Sequence, residues 1–477
     1  MKRQILFIGL LVMTLGFSSC SDWFDVSPKS DVKADDLYSS ESGFRDVLTG
    51  VYALMTTENL YGRQMTFGYV DVLAQYYDKI SLQSHEYIKT INFQYKEPAD
   101  ESAISKIWNT QYKAIVNLNT LLGYIDQNKQ VFESENIYKI YKGEALALRA
   151  FLHFDLLRLF GPSPAMGENL EAIPYMDTYT NIAKERLSVK EVIEKIIADL
   201  NAARELMKDV DSYGPQYENL KDSYAEDQRL KNRQFHLNYY ATTALLARVE
   251  LYAGHTQQAL DAAVEIIGEP EGEPVQPFGL VNEASSQDRL FESEILFTLD
   301  MANLEDIIDP YFGKTASESG LSNSNTMLAF STSKSDKLFE KEVPADDDYR
   351  LKIWFASTTS STASMSNKLT DSEQMPLIHL SELYYIAAEC AGGEEGLAYL
   401  NKIRAHRGLA VYTDMSKLEE GIYKEYCKEF MNEGQMFYYY KRKNLSSMGV
   451  YSTKTVVPEQ VYILPLPVDE QDYGNKN

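Results

Sequence analysis

The chain has 477 residues, enough for a large core and, by length alone, for two or three domains. Its 70 Asp and Glu outnumber 46 Lys and Arg, giving a formal net charge of -24 that is dispersed rather than blocked. A surface this acidic repels nucleic acid and anionic headgroups, which excludes DNA and RNA as partners.

In chain order, residues 1–19 form an export signal. Lys2 and Arg3 precede an apolar run, Ile5–Met13, that extends to Leu15 and Phe17 and ends at Ser18-Ser19. The run is too short to span a bilayer. Leu15-Gly-Phe-Ser-Ser-Cys20 resembles a bacterial lipoprotein cleavage box, which implies that Cys20 is acylated and becomes the mature N-terminus. Ser19 fits the small residue before the Cys, whereas Phe17 departs from the usual aliphatic residue. An ordinary soluble export signal with an incidental Cys is the alternative. No second run approaches the ~20 apolar residues of a membrane span, so the mature chain is expected to be soluble apart from its anchor. Residues 20–36, polar and carrying Pro28, make the lipidated N-terminus and tether.

Helical periodicity follows at once, with Phe44, Val47, Leu48, Val51, Tyr52 and Met55 at steps of three and four. A second helix carries Ile104, Ile107, Trp108, Ile115, Leu118, Leu122 and Ile125. A third runs from about Tyr138 to Phe160 and stops at Gly161-Pro162. A fourth opens with Ser188 and Glu191 in capping-box spacing. After a polar loop, Asp209 to Arg233, a helical hairpin spans Phe235 to Ile267 and turns at Gly254-His255. Residues 268–374 are rich in Gly, Pro, Ser, Thr and Asn, with short β-like pieces such as Ile295–Leu299; loops this long are functional or disordered. Helices resume from Pro376 to Ile403, turning at Gly392-Gly393, and again from about Leu418 to Arg442. Cys390 and Cys427 lie in apolar helical surroundings that suit buried free thiols. With Cys20 acylated, one disulfide is the most the chain could form.

Leu246-Ala247 to Leu251-Tyr252-Ala253-Gly254 and on to Ala259-Leu260 places small residues where two helices approach and Gly at the turn. It resembles a tetratricopeptide hairpin; Glu144–Gly161 and Glu382–Leu400 echo it. The fold expected is mostly α, a tetratricopeptide-like helical hairpin scaffold with a long irregular loop-rich ligand-binding lobe and minor β. It is one domain over 37–477, with scaffold at about 37–267 and 376–442 and the irregular insert at about 268–375.

Several motifs together resemble the SusD/RagB-like family of Bacteroidetes outer-membrane nutrient-binding lipoproteins. They are Cys20 to Pro28, Gly43 to Tyr52, Ala145 to Gly161, Ile378 to Glu389, Leu400 to Arg404, Glu429 to Gln435 with Lys441-Arg442, and Ile463 to Pro467. Asn475-Lys476 departs from the Asn-Pro with which the family often ends. The resemblance implies a cell-surface lipoprotein, held on the outer membrane by its lipid and facing the exterior. Such a protein binds a nutrient, usually an oligosaccharide, and delivers it to a SusC-like TonB-dependent transporter. Alternatives are peptide binding, as in the RagB branch, a surface scaffold without a nutrient ligand, or a surface hydrolase.

No nucleophile elbow, HExxH or phosphate loop occurs, and neither a catalytic residue, a metal ligand nor a cofactor is expected. Of the six His, His153 and His379 lie inside apolar runs as structural residues. A glycosidase carboxylate pair has no sequence spacing by which to be recognised among so many acids. Sugar binding needs aromatic rings over C–H faces and polar groups around the hydroxyls. Two irregular regions supply both: Tyr61 to Gln83, with Arg63, Tyr69, Asp71, Gln75, Tyr76, Tyr77 and Asp78, and a second with Tyr311-Phe312 and Asp348 to Trp354. The expected ligand residues are Trp354, Tyr76, Tyr77, Arg63, Asp71 and Tyr311, with Trp354 stacking on a sugar. The alternative is that these rings pin loops onto helices.

Overall fold

A computed structural model describes residues 34–474 apart from residues 81, 181, 225–229, 284, 286, 320–323, 342–346, 356–357, 361–362 and 450–453. The export signal, Cys20 and Asn475-Lys476 lie outside the described residues. Helix α1, Glu41–Met55, is capped by Ser40 and packs on α2, Pro98–Ile125, which carries Pro at its first turn. α3, Glu135–Phe160, is buried on nearly every face and is the central helix of the array. Its charged residues are paired: Glu144 with Arg233, Arg149 with Asp199 and Asp155 with Arg158.

α4, Val189–Met207, starts in the expected capping box of Ser188 and Glu191. The hairpin α5, Tyr239–Ala253, and α6, Thr256–Ile267, turns at Gly254 with φ 82°. α7, Leu380–Ala391, and α8, Gly393–Ala405, make a second hairpin, followed by α9, Leu418–Glu429, and α10, Gln435–Arg442. From α2 to α9 each helix packs on the next in sequence. α6 lies directly on α7, so the insert between them interrupts the chain but not the stack.

Two boundaries differ from the periodicity reading. Residues 374–379 form a strand, not the start of α7: β2, Gln374–His379, pairs antiparallel with β1, Ile295–Asp300. Pro376 disfavours a helical residue before it, and the apolar run on either side suits a buried strand. The expected Leu418–Arg442 helix is two helices, because Asn432 and Gly434 take φ 70° and 73° and turn the chain between α9 and α10.

A buried ion network ties the insert to the scaffold. Arg350 bonds Asp348, Glu425 at 2.5 Å and Glu429 at 2.8 Å. Arg404 holds Glu425, and Arg407 bridges Glu429 and Glu294. Cys390 is half-buried and Cys427 buried, both as free thiols.

Candidate functional site

The two irregular regions of the sequence pack against each other. Phe67 meets Tyr311 and Phe312 at ring distances of 5.4 Å, and Tyr77 meets Phe330 at 5.3 Å. Asp78 accepts from the backbone and hydroxyl of Ser331, both at 2.6 Å. Lys334 donates to Gln75 O, and burial pulls its amine down to about 8. The segment 84–86 continues the seam: Ser84 Oγ bonds Asn325, His85 Nε2 pairs with Met327 O, and Glu86 N donates to Asn325 O.

Most of the expected ligand groups are core groups in this arrangement. Trp354 is 1 % exposed; its Nε1 donates to Arg289 O at 2.7 Å and Lys368 sits over its ring. Tyr76 donates to Cys427 O, and Tyr77 donates to Phe67 O while accepting from Asn432. Asp71 accepts from Asn432 N and Gly434 N, locking the first region onto the α9–α10 turn. Burial pushes its carboxyl well above the usual range, against the lowering by those two N–H groups. These four side chains pin loops onto the scaffold and present no face to solvent.

Arg63 differs: it is partly exposed, while its partner Tyr311 is buried behind it. Arg63 Nη1 donates to the Tyr311 hydroxyl, joining the two regions at their solvent edge. Its side chain keeps 19 % of its exposure, beside Glu58 at 3.2 Å and Glu86 at 3.5 Å. Arg63 Nε is buried in that ion pair without an aligned hydrogen bond, and Glu86 Oε1 is likewise buried beneath the edge. Burial alone would lower the guanidinium, but Tyr87, Tyr311 and Glu86 hold it above its ordinary value. Burial raises Glu86, partly offset by Tyr311 and Arg63. The edge thus offers a fixed cation, two carboxylates and, from Ser84 and Asn325, neutral polar groups, an arrangement able to donate to and accept from neighbouring hydroxyls.

The other end of the 84–97 segment borders a cleft of about 850 Å³ absent from the sequence reading. Phe93, Lys96, Arg186, Phe160 and Glu459 line it together with Ile463–Leu466. Phe93 is half-buried with φ 58°, and Tyr95 anchors the loop by donating to Val461 O at 2.6 Å. The aromatic and charged run Phe93-Gln-Tyr-Lys-Glu97 before the Pro98 helix start was the available signal; the partners come from distant segments. Among the described residues no group of three or more His, Cys, Asp and Glu is placed to hold a metal ion, and no helix is long and apolar enough to cross a membrane.

A SusD-like family model, described as starch-binding associating with outer membrane, matches residues 22–251, and the SusD family model matches residues 331–463. The chain belongs to the SusD family. Among SusD-like relatives, protein P25 of Formosa agariphila is 20 % identical over an alignment covering 91 % of this chain and 88 % of that protein. Protein P2 of the same organism is 28 % identical over 215 residues, 44 % of this chain and only 38 % of P2. A solved laminarin-binding SusD-like protein superposes with a TM-score of 0.64 at 19 % identity, covering 91 % of this chain and 98 % of that one, so the SusD fold is shared. The SusD family is one of binding proteins associated with the outer membrane and with carbohydrate.

Proposed function

We propose that this SusD-like protein is a cell-surface lipoprotein, anchored through Cys20, that captures an oligosaccharide and passes it intact to a SusC-like TonB-dependent transporter in the outer membrane. The observation that carries the reading is the solvent edge where Arg63 of the first irregular region, its side chain 19 % exposed, meets Tyr311 of the second, with the more exposed Glu58 and Glu86 beside it. A sugar's hydroxyls would bond the exposed parts of Arg63, Glu58 and Glu86 and the neighbouring Ser84 and Asn325. The laminarin-binding relative supports a glycan as the ligand class. Two carboxylates held by one guanidinium suit gripping a ligand's hydroxyls, and the reading is of binding without turnover. Incubating the pure protein with panels of oligosaccharides and peptides tests this. A glycan that binds and is recovered intact is the expected result; peptide binding alone, or turnover of the glycan, would overturn it.

A further inference from the structure

A second, smaller space lies where α3, α5, α7, α9 and α10 meet, and none of its lining residues belongs to the ligand edge. It measures about 30 Å³. Arg158, Arg248 and Arg442 line it. Arg248 grips Glu382 through Nε at 2.7 Å and Nη2 at 2.6 Å, leaving Nη1 buried without a partner. The hydroxyls of Tyr252 and Tyr438 are also buried without partners. All three side chains are more than nine-tenths buried, and all three orphan atoms can donate.

Donor chemistry and size narrow what could satisfy them. Arg158 pairs with Asp155 and Arg248 with Glu382, while Arg442 and Lys443 share Glu389 at 2.7 Å each. The three lining arginines thus face three carboxylates, and what the cavity retains is three unpartnered donors, one of them on a guanidinium. A water needs roughly 10–15 Å³ of such space, so the cavity admits about two waters or one ion of halide size, and excludes phosphate, sulfate or a sugar. We propose that the cavity binds one small monovalent anion of halide size, held by Arg248 Nη1 and the Tyr252 and Tyr438 hydroxyls. The ion completes buried donors from α5 and α10, one of them a guanidinium N–H, where the scaffold helices converge.

Thermal melting of the full chain in sodium chloride or bromide, against sodium gluconate at equal ionic strength, tests this directly. A melting temperature that rises with halide and saturates is expected, since only a ligand of the folded state shifts the equilibrium in this way. Crystals soaked in bromide should show an anomalous peak in the cavity. The double variant Tyr252→Phe and Tyr438→Phe keeps both rings, including the face on which Arg158 stacks. It should raise the half-saturating halide concentration about tenfold or more, which is 1.4 kcal/mol or above. Identical melting in halide and gluconate, with or without a bromide peak at crystal concentration, would overturn the proposal and leave a cavity filled by water.

Discussion

Arg63 and Arg350 are both arginines of the irregular segments, and their surroundings give them opposite roles. Arg350 is fully buried and bonded to Asp348, Glu425 and Glu429. Removing one partner of a buried ionic network strands the others, so Arg350→Met should cost about 3–5 kcal/mol, read from urea unfolding. Trp354→Ala should cost a similar ~3–5 kcal/mol and lower the melting temperature, because it removes a packed ring. A stable Trp354→Ala protein would show the ring to be less embedded than its surroundings indicate. Aromatic richness was legible in the sequence, but not which rings face inward. Tyr buries without penalty whenever its hydroxyl finds an acceptor, as Tyr76 does at Cys427 O, 351 residues away in the chain. Distance along the chain also hid the Arg63–Tyr311 contact, although both residues stood in the expected set. His153 and His379 were legible as structural: His153 stacks on Tyr175 and bonds Arg149 O and Met176 N, and His379 bonds Glu433.

At the scale of elements, turns divide into those that ask only for a left-handed backbone and those that also ask for space. Gly254 closes the α5–α6 hairpin at φ 82°, and a Cβ there would meet nothing within 4 Å. Gly254→Ala should therefore cost only the backbone strain, about 1–2 kcal/mol. Gly434 has a similar φ, but a Cβ would fall 2.2 Å from Met65 O. Gly434→Ala adds a collision with fixed backbone and should destabilise clearly more; equal melting temperatures for the two variants would contradict this. The first hairpin was readable because its small residues and Gly turn are local. The break between α9 and α10 was not, because the apolar period continues across Asn432 and Gly434 while Asp71, from a remote loop, holds the turn in place. Likewise β2 needed its partner β1, about eighty residues upstream, before Pro376 could be placed in a strand.

For the whole molecule, stability should depend on acid through the paired carboxylates. Burial alone would raise Glu144, but His236 and Arg233 bring it down from 4.5 to about 2, and Arg442 and Lys443 do the same for Glu389. A carboxyl with a depressed folded pKa binds fewer protons folded than unfolded in that interval. Its contribution is therefore complete above about 4.5 and is lost as pH falls toward 2. The urea midpoint should hold from neutral pH down to about 5 and then fall steeply. A midpoint unchanged at pH 3 would show these pairs to be uncoupled from folding. The stacked helices and the family were legible because they rest on local periodicity and ordered motifs, whereas the ligand edge is made by segments that only the tertiary fold unites. The proposed glycan site at this edge works through Arg63, and calorimetry with the best-binding oligosaccharide tests it most directly. Arg63→Ala should weaken that binding about tenfold or more, 1.4 kcal/mol or above, while circular dichroism and melting stay close to the parent's. Unchanged affinity in the folded Arg63→Ala protein, or no glycan bound by the parent protein at all, would contradict it.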